Sequence, residues 1–212
     1  MTLTFNQMLN EIQRDERLDP IPLVVQWDGS LRDQINGLFS DIWENLDATD
    51  LEISLEPGLS NQARGTRLWK RFRPTLIEGL TDARFETCLK SGYPDRKLVL
   101  GTGESIAFEE KAHSKWDPND GNRVVICSST RRLRETFSQP IFHLWATLYH
   151  SIRNTENETI CTIHQLRLHY VEPETLVARR LETSTSNKLL RESVVQERHV
   201  SISFGELPDS DV

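Results

Sequence analysis

GYPDRKLVLGTGESIAFEEKAH, the sequence of residues 92–113, predicts two short β-strands joined by a tight turn. A turn at 92–95 leads into an apolar run at 96–100. The glycines within 101–104 give the backbone freedom that a hairpin turn requires, and 105–113 is the second extended run. We therefore expect a β-hairpin in the middle of the chain.

Polar side chains gather on one face of this hairpin. Because side chains alternate along a strand, Glu109 and Lys111 project together while Phe108 enters the core from the other face. The turn before the first strand delivers Asp95 beside this pair when the register of the hairpin is tight. The sequence therefore predicts that two carboxylates and one ammonium group meet at the edge of a sheet.

These three side chains suit the hydrolysis of phosphodiester bonds. Asp95 and Glu109 offer hard oxygen ligands of the kind that Mg²⁺ prefers, and the same ion accepts water and a phosphate oxygen of the substrate. A bound metal lowers the pKa of its water and stabilises charge that develops on the phosphate. Lys111, held near that water, orients it or stabilises the oxyanion.

Pro94-Asp95, followed after thirteen residues by Glu109-Glu110-Lys111, resembles the motif of the PD-(D/E)xK nuclease superfamily. In that family the aspartate and the first acidic residue of the triplet bind the metal, and the lysine assists the attacking water. The resemblance implies that Asp95, Glu109 and Lys111 are catalytic, that Asp95 and Glu109 bind metal, and that Mg²⁺ is the cofactor. It also implies an α/β fold with a restriction-endonuclease-like core, in which helices flank a central mixed β-sheet.

Three positions depart from that motif. Glu110 stands where an apolar residue usually packs into the sheet, and Arg96 and Lys97 stand where apolar residues usually follow the aspartate. Glu110 then either pairs with a cation or takes part in the site. In the family, a carboxylate from an N-terminal helix often completes the site, and Glu44 and Glu78 are both candidates here.

The resemblance implies a type II restriction endonuclease, which cuts both strands of a short site in double-stranded DNA. One active site per chain and two DNA strands predict a homodimer on a palindromic target. The first alternative is a structure-selective or repair nuclease of the same superfamily. The second is a non-catalytic DNA-binding or protein-binding module, in which the three residues form only a surface ion network.

Length and composition indicate one domain without a membrane segment. The chain has 212 residues, which suits a single α/β domain. No run approaches the ~18 consecutive apolar residues that a membrane span needs. We expect no secretory signal, because the first residues lack its basic and apolar regions. Three widely spaced cysteines exclude a fully paired disulfide framework and favour a reducing cytoplasm.

Cationic side chains are concentrated in two places, although the net charge of the chain is −7. Such a charge opposes nucleic-acid binding overall, but five cations fall within residues 64–73 and three within 131–134. Lysines and arginines contact DNA phosphates, whereas a solvated helix face is the alternative for both segments. The residues predicted to contact DNA are Asn61, Gln62, Arg64, Arg67, Lys70, His113, Arg131 and Arg132.

Periodicity and capping signals predict the remaining elements. Before the hairpin we expect helices at 3–17 and 29–47, a basic helix from Ser60 or Asn61 to about Phe72, and a further helix at 74–90. After the hairpin we expect a polar loop at 114–122, a buried strand at 124–127, a helix through 130–137 capped by Ser128 or Ser129, and a strand at 159–171. Residues 141–152 fit either helix or strand, and short helices are expected at 174–182 and 186–192.

We expect one nuclease domain, 1–212, with three functional parts. The N-terminal helices, within 1–90, are predicted to form the dimer surface and to contact the DNA backbone, because apolar residues remain to spare there. Residues 91–150 form the catalytic core. Residues 151–212 supply DNA-recognition elements and a tail.

Overall fold

The computed structural model describes residues 2–88, 93–114, 129–137, 141–178 and 200–208. In chain order its elements are β1 (Thr2–Thr4), α1 (Phe5–Asp15), α2 (Gly29–Glu44), α3 (Ala48–Leu51), β2 (Glu52–Leu55), α4 (Asn61–Gly79), β3 (Ala83–Thr87), β4 (Arg96–Leu100), β5 (Ser105–His113), α5 (Arg131–Thr136), β6 (Phe142–Asn154), β7 (Thr159–Val171), β8 (Leu176–Ala178) and β9 (Val200–Gly205). Helices and strands alternate along the chain, as expected for a mixed α/β protein.

Seven of these strands form one mixed sheet. The strand order is β2-β7-β6-β5-β4-β3, and β9 also pairs with β7. In the described part of the sheet, β5 and β6 are the parallel pair and the other neighbours are antiparallel. A parallel pair needs a crossover connection, and α5 lies between β5 and β6 in the chain. The predicted α/β class with a central mixed sheet flanked by helices is confirmed at this level.

Different helices cover the two faces of the sheet. α2 and α4 contribute to one apolar core, in which Phe72 and Phe108 are completely buried. α1 and α5 contribute to the other, in which Leu9 and Leu133 lie with Ala107. Because Ala107 and Phe108 are successive residues of β5, the two cores lie on opposite faces of the sheet. We call these the α1/α5 face and the α2/α4 face.

α4 continues through Pro74. The helix begins after Ser60, whose hydroxyl accepts a hydrogen bond from the backbone N–H of Ala63 at 3.2 Å. Proline lacks the N–H that would bond to the previous turn. Buried side chains on both sides of it, Phe72 and Leu76, nevertheless hold the two halves of the helix in the same core.

The prediction of a separate helix at 74–90 is therefore wrong. The helix that begins at Asn61 ends at Gly79, and Ala83–Thr87 is strand β3, which pairs with β4. Local periodicity gave the wrong prediction here because the pairing of β3 with β4 outweighs the helix propensity of these residues. Residues 89–90 of that prediction lie outside the described residues.

The two N-terminal helices predicted at 3–17 and 29–47 are confirmed. Thr4 and Gln7 form a capping box at the start of α1, in which each side chain accepts a hydrogen bond from the backbone N–H of the other. Asp28 caps α2 in a similar way. These caps satisfy N–H groups that have no partner within the helix.

The apolar residues of both helices are buried. Phe5 and Met8 of α1 and Ile35 and Phe39 of α2 are completely inaccessible to solvent. Over the described residues, the large hydrophobic side chain that remains exposed is Ile77 of α4. The dimer surface was placed on the N-terminal helices because they had apolar residues to spare, and burial of those residues removes this reason. The homodimer itself stays a prediction.

Strands account for most of the remaining described chain. The segment 141–152, which fitted helix or strand, belongs to β6, and the strand predicted at 159–171 is confirmed as β7. The helix predicted at 174–182 is wrong where it is described, because 176–178 is strand β8 and pairs with β1. Across the described ranges, no helix has both the length and the apolar character that crossing a membrane requires.

Some predictions fall on residues that the structure does not describe. The predicted strand at 124–127, the helix at 186–192 and most of the loop at 114–122 lie outside the described residues, as does Ser128. The predicted helix after them is confirmed as α5, but Ser129 does not cap it. The Ser129 hydroxyl instead donates a hydrogen bond to Glu16 Oε1 at 2.5 Å.

Candidate active site

The β4–β5 hairpin brings Asp95 beside Glu109. Arg96 of β4 lies opposite Phe108 of β5 in an antiparallel pair. Asp95, the residue before Arg96, therefore lies beside Glu109, the residue after Phe108. The backbone N–H of Asp95 donates a hydrogen bond to Glu109 Oε2 at 3.1 Å. In return, the backbone N–H of Glu110 donates to Asp95 Oδ2 at 2.9 Å. The two carboxylates are therefore held next to each other by reciprocal contacts across the hairpin.

Lys111 completes this group. Its Nζ donates a hydrogen bond to Glu109 Oε1 at 2.5 Å, and 16% of its side chain remains exposed. Glu109 and Lys111 are two residues apart on one strand and share the α1/α5 face. The structure therefore brings together the three residues that the sequence predicted to be catalytic, Asp95, Glu109 and Lys111.

Burial changes the acidity of Glu109. Only 4% of the residue is exposed, and this loss of hydration raises the pKa of its carboxyl to about 7. The ammonium of Lys111 lowers the pKa of that carboxyl, whereas the negative charge of Asp95 raises it. Glu109 is thus close to the midpoint of its titration at neutral pH, which is typical of functional sites.

We expect this pKa to make stability depend on pH in metal-free buffer. The folded protein keeps the Glu109 proton between about pH 4.5 and 7 while the unfolded chain releases it, so the free energy of unfolding falls as pH rises through that window. The loss is at most roughly 3 kcal/mol, since one pKa unit corresponds to about 1.4 kcal/mol. Urea unfolding of the wild type and of Glu109→Gln across this range measures it. A constant difference between the two proteins would contradict the raised pKa.

Glu110 lies on the opposite face and is paired. Arg73 of α4 donates from Nε to Glu110 Oε1 at 2.8 Å and from Nη2 to Oε2 at 2.6 Å. Arg96 Nε is 3.9 Å from Oε1. Of the two roles open to Glu110, pairing with a cation is therefore the one that the structure shows. This bidentate pair explains how a charged residue occupies a normally apolar position.

Two contacts, one through Tyr93 and one through the Pro94 carbonyl, anchor the turn that carries Asp95. Tyr93 Oη lies 2.5 Å from His143 Nδ1, and His143 Nε2 lies 2.7 Å from the carbonyl oxygen of Leu23. Burial lowers the pKa of His143 to about 4, so the ring is neutral at pH 7. Its Nε2–H then donates to the Leu23 carbonyl, and its Nδ1 accepts from Tyr93. Arg132 Nη2 donates to the carbonyl oxygen of Pro94 at 2.8 Å.

The sequence interpretation missed Tyr93 and His143 and did not foresee the structural contact of Arg132, whose predicted contact with DNA stays a prediction. Tyr93 and His143 are separated by fifty residues, and no spacing rule connects them. Arg132 was predicted to contact DNA, whereas its guanidinium bonds to the turn beside Asp95. Its neighbour Arg131 donates from Nη2 to the carbonyl oxygen of Glu16 at 2.9 Å. Both arginines are thus engaged in holding α5 to the rest of the protein.

The predicted DNA contacts of α4 lie on the other side of the sheet. Buried residues of this helix, among them Phe72, belong to the α2/α4 core, so its exposed side chains point away from Lys111. Arg64 donates to Asn61, and Arg67 Nη1 is 3.6 Å from Glu56. Gln62 and Lys70 are exposed on the same helix. The structure does not bring this set together with Asp95, Glu109 and Lys111.

His113 differs from that set because it shares a face with Lys111. Only 4% of the residue is exposed, and its ring centroid lies 5.9 Å from that of Tyr149. The predicted contact between His113 and DNA would therefore require this buried ring to become accessible.

Neither of the two residues predicted to supply a further carboxylate lies at the site. Glu44 and Glu78 are exposed on α2 and α4, which pack against the opposite face. Within the described ranges, no three His, Cys, Asp or Glu side chains converge as a metal-binding group. A metal ion at this site would thus have two protein carboxylates, which suits Mg²⁺ because it keeps several waters and takes phosphate oxygens from a substrate.

Comparison with known proteins finds no matching family model, no matching curated protein and no matching solved structure.

Proposed function

We propose that the chain is a Mg²⁺-dependent endonuclease that hydrolyses phosphodiester bonds in double-stranded DNA. One observation carries the proposal. The carboxylates of Asp95 and Glu109 each accept a hydrogen bond from a backbone N–H of the other's strand, which holds them side by side, and Lys111 Nζ lies 2.5 Å from Glu109. Two hard anionic ligands and one cation are the groups that metal-assisted attack on a phosphodiester requires. Their fit to the spacing of the PD-(D/E)xK motif supports the same proposal.

Each residue has a separate task in this mechanism. Asp95 and Glu109 would hold Mg²⁺ through carboxylate oxygens. Mg²⁺ held there would supply a more acidic water molecule and positive charge beside the phosphate. Lys111 stabilises the negative charge that develops on the phosphate, or it orients the attacking water through a hydrogen bond.

The raised pKa of Glu109 fits this assignment. A carboxyl that is half-protonated near pH 7 ionises fully when a cation arrives, because an adjacent positive charge favours the charged form. Burial of Glu109 also argues against the non-catalytic alternative, which treats these residues as a surface ion network. Ion pairs at a surface are solvated, whereas Glu109 is 4% exposed and carries a desolvation penalty that a surface network avoids.

The finer proposal is a type II restriction endonuclease. It has a restriction-endonuclease-like core, a central mixed sheet flanked by helices, and it acts as a homodimer on a palindromic site in the cytoplasm. Two chains are needed because one active site cuts one strand. The same-superfamily alternative, a structure-selective or repair nuclease, has the same chemistry but a different choice of DNA.

Cleavage of plasmid DNA tests the proposal. We expect purified protein to convert a mixed-sequence plasmid into discrete linear fragments with Mg²⁺ and to leave it intact in EDTA, because the water nucleophile depends on the ion. Sequencing of the ends then gives the site. Diffuse cleavage, or cutting only at branched or damaged DNA, would favour the structure-selective alternative. An intact plasmid and intact branched DNA in Mg²⁺ would reject nuclease activity.

A further inference from the structure

A row of polar side chains crosses the sheet at the level of Lys111. The strand register pairs Lys111 with Thr147, Thr147 with Arg167, and Arg167 with Ser203. Residues paired across neighbouring strands point to the same face. All four side chains therefore lie on the α1/α5 face, like Glu109. We call them the Lys111–Ser203 row, which begins in the candidate active site and ends on β9.

The strands that carry this row are depleted in negative charge. β6, β7 and β9 contain no aspartate or glutamate, although the chain as a whole has a net charge of −7. On the α1/α5 face of β5, the carboxylate is that of Glu109, and it is bonded to Lys111. Arg167 thus places a positive charge on strands without carboxylates, and a local positive charge on an acidic protein attracts a polyanion to that place.

Arg167 is held in a fixed orientation within the row. Its Nε donates to Ser203 Oγ at 2.9 Å, and its Nη2 donates to Gln165 Oε1 at 3.0 Å. The guanidinium also lies over the ring of Tyr149, with Cζ 5.2 Å from the ring centroid. A planar guanidinium matches the geometry of phosphate oxygens, and prior orientation reduces the entropy lost on binding. Arg167 and Lys111 are partly exposed and Ser203 is exposed, whereas Thr147, the short side chain between the two cations, is 5% exposed. A ligand on this face would therefore touch Lys111, Arg167 and Ser203 rather than Thr147.

We infer that the backbone of the substrate DNA lies along the Lys111–Ser203 row, and that Arg167 binds a phosphate of the strand that is cut. This inference rests on the proposed function and adds the binding surface to it. Lys111 and Arg167 are two strands apart, roughly 10 Å. A DNA strand carries one charge about every 3.4 Å along the axis. Because the strand winds around the axis, its phosphates are further apart than this axial rise, so Arg167 reaches a phosphate within about two nucleotides of the scissile bond. The exposed cations of α4 face away from the DNA.

Salt-dependent binding tests this surface. The affinity of a fluorescein-labelled duplex for the full chain is measured in EDTA from about 50 to 200 mM salt, for the wild type and three variants. Arg167→Gln should weaken binding about tenfold and reduce the slope of log affinity against log salt by about 0.9, as expected for one lost phosphate contact. Arg167→Lys should keep the slope, because it keeps the charge. Arg71→Gln, a matched loss of an exposed α4 cation, should change neither quantity.

A second measurement avoids reliance on the fold of the variants. A neutral methylphosphonate placed within about two nucleotides of the cut should weaken binding by the wild type and have no further effect on Arg167→Gln. An unchanged slope in Arg167→Gln, an equal loss in Arg71→Gln, or no effect of the methylphosphonate on the wild type would overturn the inference while cleavage persists. A wild type that neither binds nor cuts DNA would instead overturn the proposed function.

Discussion

Lys111→Ala is expected to slow DNA cleavage by about 100- to 1000-fold while the chain stays folded. Removal of one group that stabilises charge in the transition state has an effect of this size. The fold should survive because Glu109, whose pKa is already about 7 with the lysine present, takes up a proton when the lysine is removed. Single-turnover cleavage at saturating protein measures the chemical step, and thermal unfolding measures the fold.

Lys97→Ala provides the matched control. Lys97 lies on the neighbouring strand and shares the α1/α5 face, because it pairs with Ala107. Its Nζ is 3.5 Å from Glu86 rather than close to Glu109. We expect Lys97→Ala to cleave DNA within a few-fold of the wild-type rate. If Lys111→Ala cleaves at the wild-type rate, the lysine serves only to neutralise Glu109 and the catalytic assignment is wrong.

The hairpin that presents these residues was predictable because its determinants are local. Alternation along β5 separates Glu109 and Lys111 from Phe108, and turn glycines set the register. Gly103 has a φ of 102°, a conformation that favours glycine. Once the register is tight, the position of Asp95 follows from counting residues along the two strands.

The position of the basic helix was not predictable in the same way. The topology of the whole sheet decides which of its faces a helix covers. The sequence of residues 61–79 alone does not determine this. The local rules also failed at Pro74, because burial of Phe72 and Leu76 in one core outweighs the missing hydrogen bond. A mostly apolar segment such as 141–152 fits a buried strand and a buried helix equally well from periodicity alone.

The contacts that support the site are long-range and escaped the sequence interpretation for that reason. Tyr93 reaches His143 on β6, and Arg73 of α4 reaches Glu110 on β5. Each contact joins residues that meet only after the sheet and its helices have assembled. The candidate catalytic residues were thus recognisable by type and spacing, whereas the residues that hold them were not.

Arg73→Leu should lower the free energy of unfolding by about 3–5 kcal/mol. The substitution leaves the Glu110 carboxylate, whose side chain is 8% exposed, without its bidentate partner. Arg96 Nε, at 3.9 Å, offers only a weak replacement. A buried charge that loses its partner keeps its desolvation penalty, and this accounts for the expected size. Urea unfolding monitored by circular dichroism measures the change.

The double variant Arg73→Leu/Glu110→Leu separates loss of the pair from loss of packing. With both charges removed, neither member of the pair is left as a buried charge without its partner. Most of the stability should therefore return, because a buried ion pair contributes little beyond its hydrophobic replacement. Arg84→Leu is the exposed control. Its partner Glu86 is 39% exposed, and loss of that pair should have an effect below about 1 kcal/mol. A double variant as unstable as Arg73→Leu alone would show instead that the guanidinium stabilises α4 by packing. The position of Glu110 in the triplet would then need another explanation.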